Sequence, residues 1–324
     1  MPRLIAQLAF SSQTLFRSAK ARIAASYAAA TVVAICVVTA TALPQSAQIA
    51  TASRAAGPAA AAKTPDFYPW VRPVPVALPE GLQRWAPAPM PRDGGFFTEL
   101  NAPRIDAVFE ASNHGNSGSF YGGDWLPDNI LSRSGGAFLE VRRTKGRSLP
   151  YTAAEMKTPG KFGYGRYETI MQPARGSGLV TAFFTYTGEP FGDPHDEIDI
   201  EFLGSDTTKI HFNYFKNGRK IKPATFDLPF DASAKPHLYA FEWRPDGITW
   251  FVDGEPVYAT ETGDKGIPSH PGKVMFSAWT GIPQMAGWHG PPLFRDGSGA
   301  QFNCVSFTPL GHYTPKCRDS YEAG

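Results

Sequence analysis

The sequence predicts an all-β fold, an antiparallel two-sheet β-sandwich of jelly-roll type. Three observations carry that expectation. From about Phe96 onward the chain is a succession of short runs in which apolar and polar residues alternate, the period of a half-buried strand. Tight-turn sequences such as Pro245-Asp246-Gly247 and Asp253-Gly254 separate these runs, in a chain with 32 Gly and 30 Pro. No long segment of 3.6-residue apolar period and no repeat interrupts them. The length of 324 residues suits one large all-β domain or two smaller ones.

In chain order, residues 1–47 read as an export element. No acidic residue precedes Asp66, and Arg3, Arg17, Lys20 and Arg22 lead into an uncharged run that includes Ala28 to Leu43. Small residues such as Ala40-Thr41-Ala42 or Gln45-Ser46-Ala47 then offer cleavage points. The apolar core is short for a bilayer span of ~20 residues, so a cleaved signal peptide is expected, with an uncleaved membrane anchor as the alternative. Residues 48–95 read as an Ala/Pro-rich linker, first small and polar, then stiffened by eight prolines from Pro65 to Pro91. The globular domain is expected over 96–310 and a tail over 311–324.

Within that domain the strand-like runs are Ala137 to Arg143, Gly163 to Gln172, Leu179 to Thr187, Thr208 to Phe215, Leu238 to Trp243, Ile248 to Val252, Val257 to Thr260 and Lys273 to Trp279. Of three cysteines, Cys36 lies in the apolar N-terminal run. That leaves Cys304 and Cys317 as a plausible pair, consistent with an exported protein. A net charge of +2 shows no nucleic-acid footprint.

One further run stands apart, His195-Asp196-Glu197-Ile198-Asp199-Ile200-Glu201-Phe202-Leu203-Gly204. As a strand it points Glu197, Asp199 and Glu201 to one face and Ile198, Ile200 and Phe202 to the other. Neighbouring carboxylates repel, which raises at least one pKa. A solvated charged face is the plain reading. The chemical reading is glycoside hydrolysis, which needs one protonated acid and one ionised carboxylate facing the same bond. Glu197 and Glu201 are roughly 13 Å apart along a strand at ~3.3 Å per residue. Their long side chains would have to lean together around Asp199 to approach the ~5 Å carboxyl separation of a retaining enzyme. The spacing does not say which Glu is which.

This run resembles the active-site strand of glycoside hydrolase family 16, with its Glu-x-Asp-x-Glu signature. The resemblance continues in Gly163-Tyr-Gly-Arg-Tyr-Glu, Phe183-Phe-Thr-Tyr-Thr-Gly, the segment from Ser205 to Gly218, and the segment from Tyr239 to Gly254. It covers roughly Phe109 to Ser306, and its order and spacing are similar to bacterial lichenases, the endo-β-1,3-1,4-glucanases, and to exopolysaccharide-depolymerising relatives. It implies a concanavalin-like jelly roll with a concave substrate cleft. It also implies Glu197 as nucleophile, Asp199 as the assisting aspartate and Glu201 as general acid/base. A single residue between Asp199 and Glu201 matches the family's unbulged strand, shared by the lichenase-like and xyloglucan-transglycosylase-like branches.

By the same resemblance the substrate-binding residues are Glu155, Lys157, Phe184, Tyr186, His195, Asn213, Trp279 and Trp288. Aromatic faces pack on sugar rings, and carboxylate and amide groups read hydroxyls. His195 stands where lichenases carry Trp and matches the transglycosylase branch and some exopolysaccharide-depolymerising relatives. Ala153 stands where lichenases have the second Cys of a disulfide. Asn303 stands where the family's structural calcium takes an Asp, so the resemblance lends calcium no support. The histidines show no H-x-x-x-H ligand spacing; no cofactor and no catalytic metal are expected.

The expected function is thus a secreted, retaining endo-β-glucanase, acting as a monomer on β-1,3-1,4-linked glucan or a related bacterial exopolysaccharide. The alternatives are a xyloglucan-type transglycosylase and a non-catalytic carbohydrate-binding sandwich. The second would be expected to have lost one of the three carboxylates.

Overall fold

The computed structural model describes residues 94–100, 108–133, 135–145 and 147–321. The expected export element and most of the expected linker lie outside the described residues, as does Cys36. Among the described residues no helix is long and apolar enough to cross a membrane.

Seventeen strands are described. They begin with β1 (Phe96–Glu99), β2 (Glu110–Ala111), β3 (Gly123–Trp125), β4 (Ile130–Arg133), β5 (Gly136–Arg143) and β6 (Tyr151–Lys157). Next come β7 (Gly165–Gln172), β8 (Leu179–Thr187), β9 (Asp196–Leu203), β10 (Lys209–Lys216), β11 (Arg219–Lys220) and β12 (Ala224–Asp227). Last are β13 (His237–Arg244), β14 (Gly247–Val252), β15 (Glu255–Ala259), β16 (Lys273–Thr280) and β17 (Ser298–Pro309). One short helix, α1 (Ala286–His289), follows β16.

The strands form the jelly-roll sandwich that the sequence predicts, antiparallel apart from the parallel pairing of β3 with β6. One sheet runs β2-β6-β16-β8-β9-β10-β12, with β11 closing a hairpin on β10. The other runs β4-β5-β17-β7-β13-β14-β15, with β1 also on β17. The first carries the carboxylate row and is called here the cleft sheet. β5 passes into β6 across a short ladder, tying the sheets together at one edge.

Between the sheets lies an aromatic core. Phe183 of the cleft sheet meets Phe241 of the other at 6.0 Å, Phe202 meets Tyr239 at 5.1 Å, and Phe212 stacks on Trp250 at 5.4 Å. Ile198, Ile200 and Phe202 are fully buried in it, so the alternation of β9 is used as the sequence predicts. Burying each such side chain contributes about 1.5–3 kcal/mol, which pins the register. A one-residue slip would turn the carboxylates into the core.

Two long strands escaped the periodicity, along with six short ones of two to four residues. β6 (YTAAEMK) is buried on both faces up to its last residue, so it has no polar alternation to detect. β17 is interrupted by a register shift between Phe302 and Cys304, where the extra residue of the bulge throws the alternation out of phase. The residue in that bulge is Asn303, and its side-chain N–H donates to the Gly135 carbonyl. A hard dication needs several oxygens, usually with carboxylates among them. This position offers a neutral carboxamide whose N–H already faces a carbonyl. No cluster of His, Cys, Asp or Glu suited to a metal occurs among the described residues.

Past β17 the chain folds back on the outer face of the second sheet. Cys317 is bridged to Cys304, the Arg318 amide donates to Glu168 Oε2 at 3.0 Å, and the Tyr321 hydroxyl donates to Asp253 Oδ1 at 2.6 Å.

Candidate active site

Pairing registers turn the cleft sheet into three rows of side chains, since residues directly opposite across a ladder share a face. The first row is Lys273, Tyr186, Glu197, Phe215 and Lys220. The second is Lys157, Met275, Phe184, Asp199 and Asn213. The third is Glu155, Ser277, Ala182, Glu201 and His211. Eight of the residues singled out in the sequence therefore stand on one face of five adjacent strands. The ladders on both sides of β9 run without a register shift, so the carboxylate strand is unbulged.

β9 is held at its start by Asp196, whose buried carboxylate accepts from the amides of Asn217, Ser269 and His270 at 2.8, 2.8 and 3.0 Å. From the core side, Trp250 Nε1 donates to the Asp199 carbonyl at 3.1 Å. The strand is thus tied to two loops and to the opposite sheet before any cleft contact is made.

The three carboxylates stand in different environments. Burial pushes Glu201 up to about 7 from its ordinary value of 4.5, although part of the side chain meets solvent. The Glu197 charge adds to the rise, while Lys220 and the Asn213 amide, which donates to Glu201 Oε2 at 2.5 Å, oppose it. Asp199 is also raised, first by burial and then by Glu197 and Glu201, and it shares a hydrogen bond with Glu197. A proton held on Asp199 points that bond at Glu197. Glu197 itself meets His195 Nε2 at 2.6 Å. A carboxyl raised in this way, Glu201, and a second, Glu197, on the same strand face are equipped for acid and nucleophile roles on the same bond.

Around them the other expected residues fall into place unevenly. Glu155 is buried and pushed up to about 7 by desolvation. Ser112 Oγ donates to its Oε1 at 2.6 Å and accepts from Lys157 Nζ at 2.7 Å. Lys157 and Glu155 are therefore joined through a serine. Phe184 and Tyr186 pack with Met275 and Ala182 as an apolar floor. Trp279 is only 6% exposed, edge-on to Phe120 and Tyr121, whereas Trp288 on α1 is 40% exposed at 6.0 Å from it. Trp288 presents the free aromatic face.

Sequence reasoning missed Ser112, Asp196, Phe215 and Lys220. For the last two a signal exists in Asn217-Gly218, a pair suited to a two-residue hairpin turn. Both residues take positive φ, 50° and 76°, and the turn sets Phe215 opposite Lys220. Ser112 has no local signal, because its partners are more than forty residues away.

Residues 120–291 match the family model described as glycosyl hydrolases family 16. A beta-glucanase of Acetivibrio thermocellus is 43% identical over 223 residues, which are 66% of this chain and 65% of that protein. The chain thus spans just under two thirds of that relative's length. A beta-glucanase of Brevibacillus brevis is 42% identical over 203 residues, covering 61% and 75%. Among solved structures, a prokaryotic beta-1,3-1,4-glucanase (lichenase) from a mouse hindgut metagenome superposes with a TM-score of 0.62 at 39% identity. It covers 67% of this chain and 99% of that one. The chain belongs to glycosyl hydrolase family 16.

Proposed function

We propose that the protein is an exported, retaining endo-β-glucanase that hydrolyses β-1,3-1,4-linked glucan or a related β-linked bacterial exopolysaccharide. The observation that carries this reading is Glu201 with its carboxyl pushed to about 7, one row away from Asp199 and two from Glu197 on a single strand face. Glucanase activity is what the names of the relatives say of those proteins, and the bridged Cys304–Cys317 pair suits an oxidising compartment.

In the first step Glu201 gives its proton to the glycosidic oxygen as the bond to the anomeric carbon breaks, while a carboxylate oxygen of Glu197 bonds to that carbon. Asp199 keeps Glu197 oriented through their hydrogen bond. In the second step water attacks the anomeric carbon and passes a proton to Glu201, and the ester bond to Glu197 breaks. The cycle restores a protonated Glu201 and a Glu197 carboxylate, with net retention. Glu155, Lys157, Asn213, Tyr186, Phe184 and Trp288 line the groove for hydroxyls and ring faces. No step requires a metal.

The test is incubation of the full chain with lichenan, laminarin, xyloglucan and bacterial β-glucans, followed by sizing of the products and NMR of the newly formed anomer. Internal cleavage with a β-anomer at first appearance is expected, and Glu197→Gln should abolish it while leaving the fold intact. Longer products than the starting chains would indicate transfer to sugar acceptors. Binding without cleavage of any of them would overturn the hydrolase reading in favour of a carbohydrate-binding sandwich.

A further inference from the structure

Where the resemblance places His195 among residues that touch sugar, its contacts run instead to the nucleophile. Nε2 lies 2.6 Å from Glu197 Oε2, and both side chains are partly screened, at 24% and 19% exposure. The ring itself is immobilised. Phe215 stacks on it at 5.0 Å with an interplanar angle of 19°, and Tyr186 packs against it at 5.2 Å. These are the two residues that flank Glu197 across its ladders. The backbone is fixed as well, since the His195 carbonyl accepts from the Gly218 amide at 2.8 Å and the next residue is Asp196, the anchor of β9. A planar donor clamped between two aromatic neighbours and aimed at one carboxylate oxygen is built for orientation.

We propose that His195 is a positioning residue for Glu197: its Nε2–H holds Oε2, so that the partner oxygen is turned toward the anomeric carbon. This rests on the glycosidase reading above. In the glycosyl-enzyme, Oε2 becomes the ester carbonyl oxygen and keeps the hydrogen bond. When water displaces Glu197, the returning negative charge spreads onto an oxygen already facing a donor. His195 therefore acts on both steps through Glu197, without touching the sugar, and its loss should fall on kcat.

The experiment compares two variants of the full chain on the best β-glucan substrate. His195→Phe keeps an aromatic ring between Phe215 and Tyr186 but removes the donor, and His195→Gln keeps a donor but removes the ring. A hydrogen bond to a charged group corresponds to about 10- to 100-fold in rate. His195→Phe is expected to lose that much kcat with KM within about twofold on the same basis, and His195→Gln to recover most of it. A kcat for His195→Phe within about threefold of wild type, or a loss that appears in KM, would overturn the proposal and return His195 to sugar contact. Imidazole nitrogen NMR supplies a readout that needs no substrate. The His195 signal should show the Nε2-protonated form and should shift in Glu197→Gln. If the wild type cleaves no glucan yet this shift occurs, the glycosidase reading fails while the pairing stands. If the shift is absent, the pairing itself is overturned.

Discussion

Replacing Glu201 by Gln should make the protein inactive and more stable at alkaline pH. The folded state raises the Glu201 carboxyl from 4.5 to about 7, with burial as the largest cause and the Glu197 charge behind it. The folded protein therefore holds this proton more tightly than the unfolded chain does, so its stability falls as pH rises between those two values. At 1.36 kcal/mol per pH unit the full rise corresponds to about 3 kcal/mol at pH 8, and to about 1 kcal/mol or less at pH 5. Glu201 retains some solvent contact, which trims the expected alkaline gain to about 2–3 kcal/mol. Gln preserves the size of the side chain and can still accept from Asn213 Nδ2 while carrying no charge. Urea unfolding of wild type and Glu201→Gln at pH 8 and pH 5 measures the difference. The variant should be more stable by about 2–3 kcal/mol at pH 8 and close to wild type at pH 5. A stability difference that is the same at both pH values would refute the reasoning. So would a variant destabilised at pH 8, since the site would then favour the charged form.

Other expectations follow from the same contacts. The basic limb of the kcat/KM profile should fall near pH 7, where Glu201 loses its proton. Asn213→Ala, which removes a donor that favours the ionised form, should move that limb upward by about one pH unit; a limb unmoved or shifted to lower pH would contradict the role of Asn213. Replacing Cys304 and Cys317 together by Ser opens a loop with a sequence separation of 13. The expected cost is about 3 kcal/mol of stability in denaturant titrations. Glucan hydrolysis should be unaffected, because the bridge lies on the sheet opposite the cleft.

How much of this was legible beforehand depended on how local each signal is. The alternation of residues 196–203 needed only its own residues, and burial of Ile198, Ile200 and Phe202 then left Glu197, Asp199 and Glu201 no face but the cleft. β8 spans the very residues of the dense apolar run, Leu179 to Thr187. The same logic failed for β6, buried on both faces, and for β17, whose bulge at Asn303 resets the phase. The disulfide was a matter of elimination among three cysteines, and the fold brought the two sulfurs together.

The individuality of the site lies beyond the reach of a linear pattern. Whether Lys157 meets sugar or Ser112, whether Trp279 or Trp288 shows its face, and which carboxyl keeps a proton all depend on neighbours from distant strands. Periodicity specifies the face a side chain takes, because sterics and burial act within a few residues. Ladder register and sheet packing specify what it meets there, and desolvation and hydrogen bonding, which set the chemistry, follow from those meetings. The row of carboxylates was therefore written in ten consecutive residues. The raised carboxyls of Asp199 and Glu201, and the histidine held against Glu197, came from five strands assembled side by side.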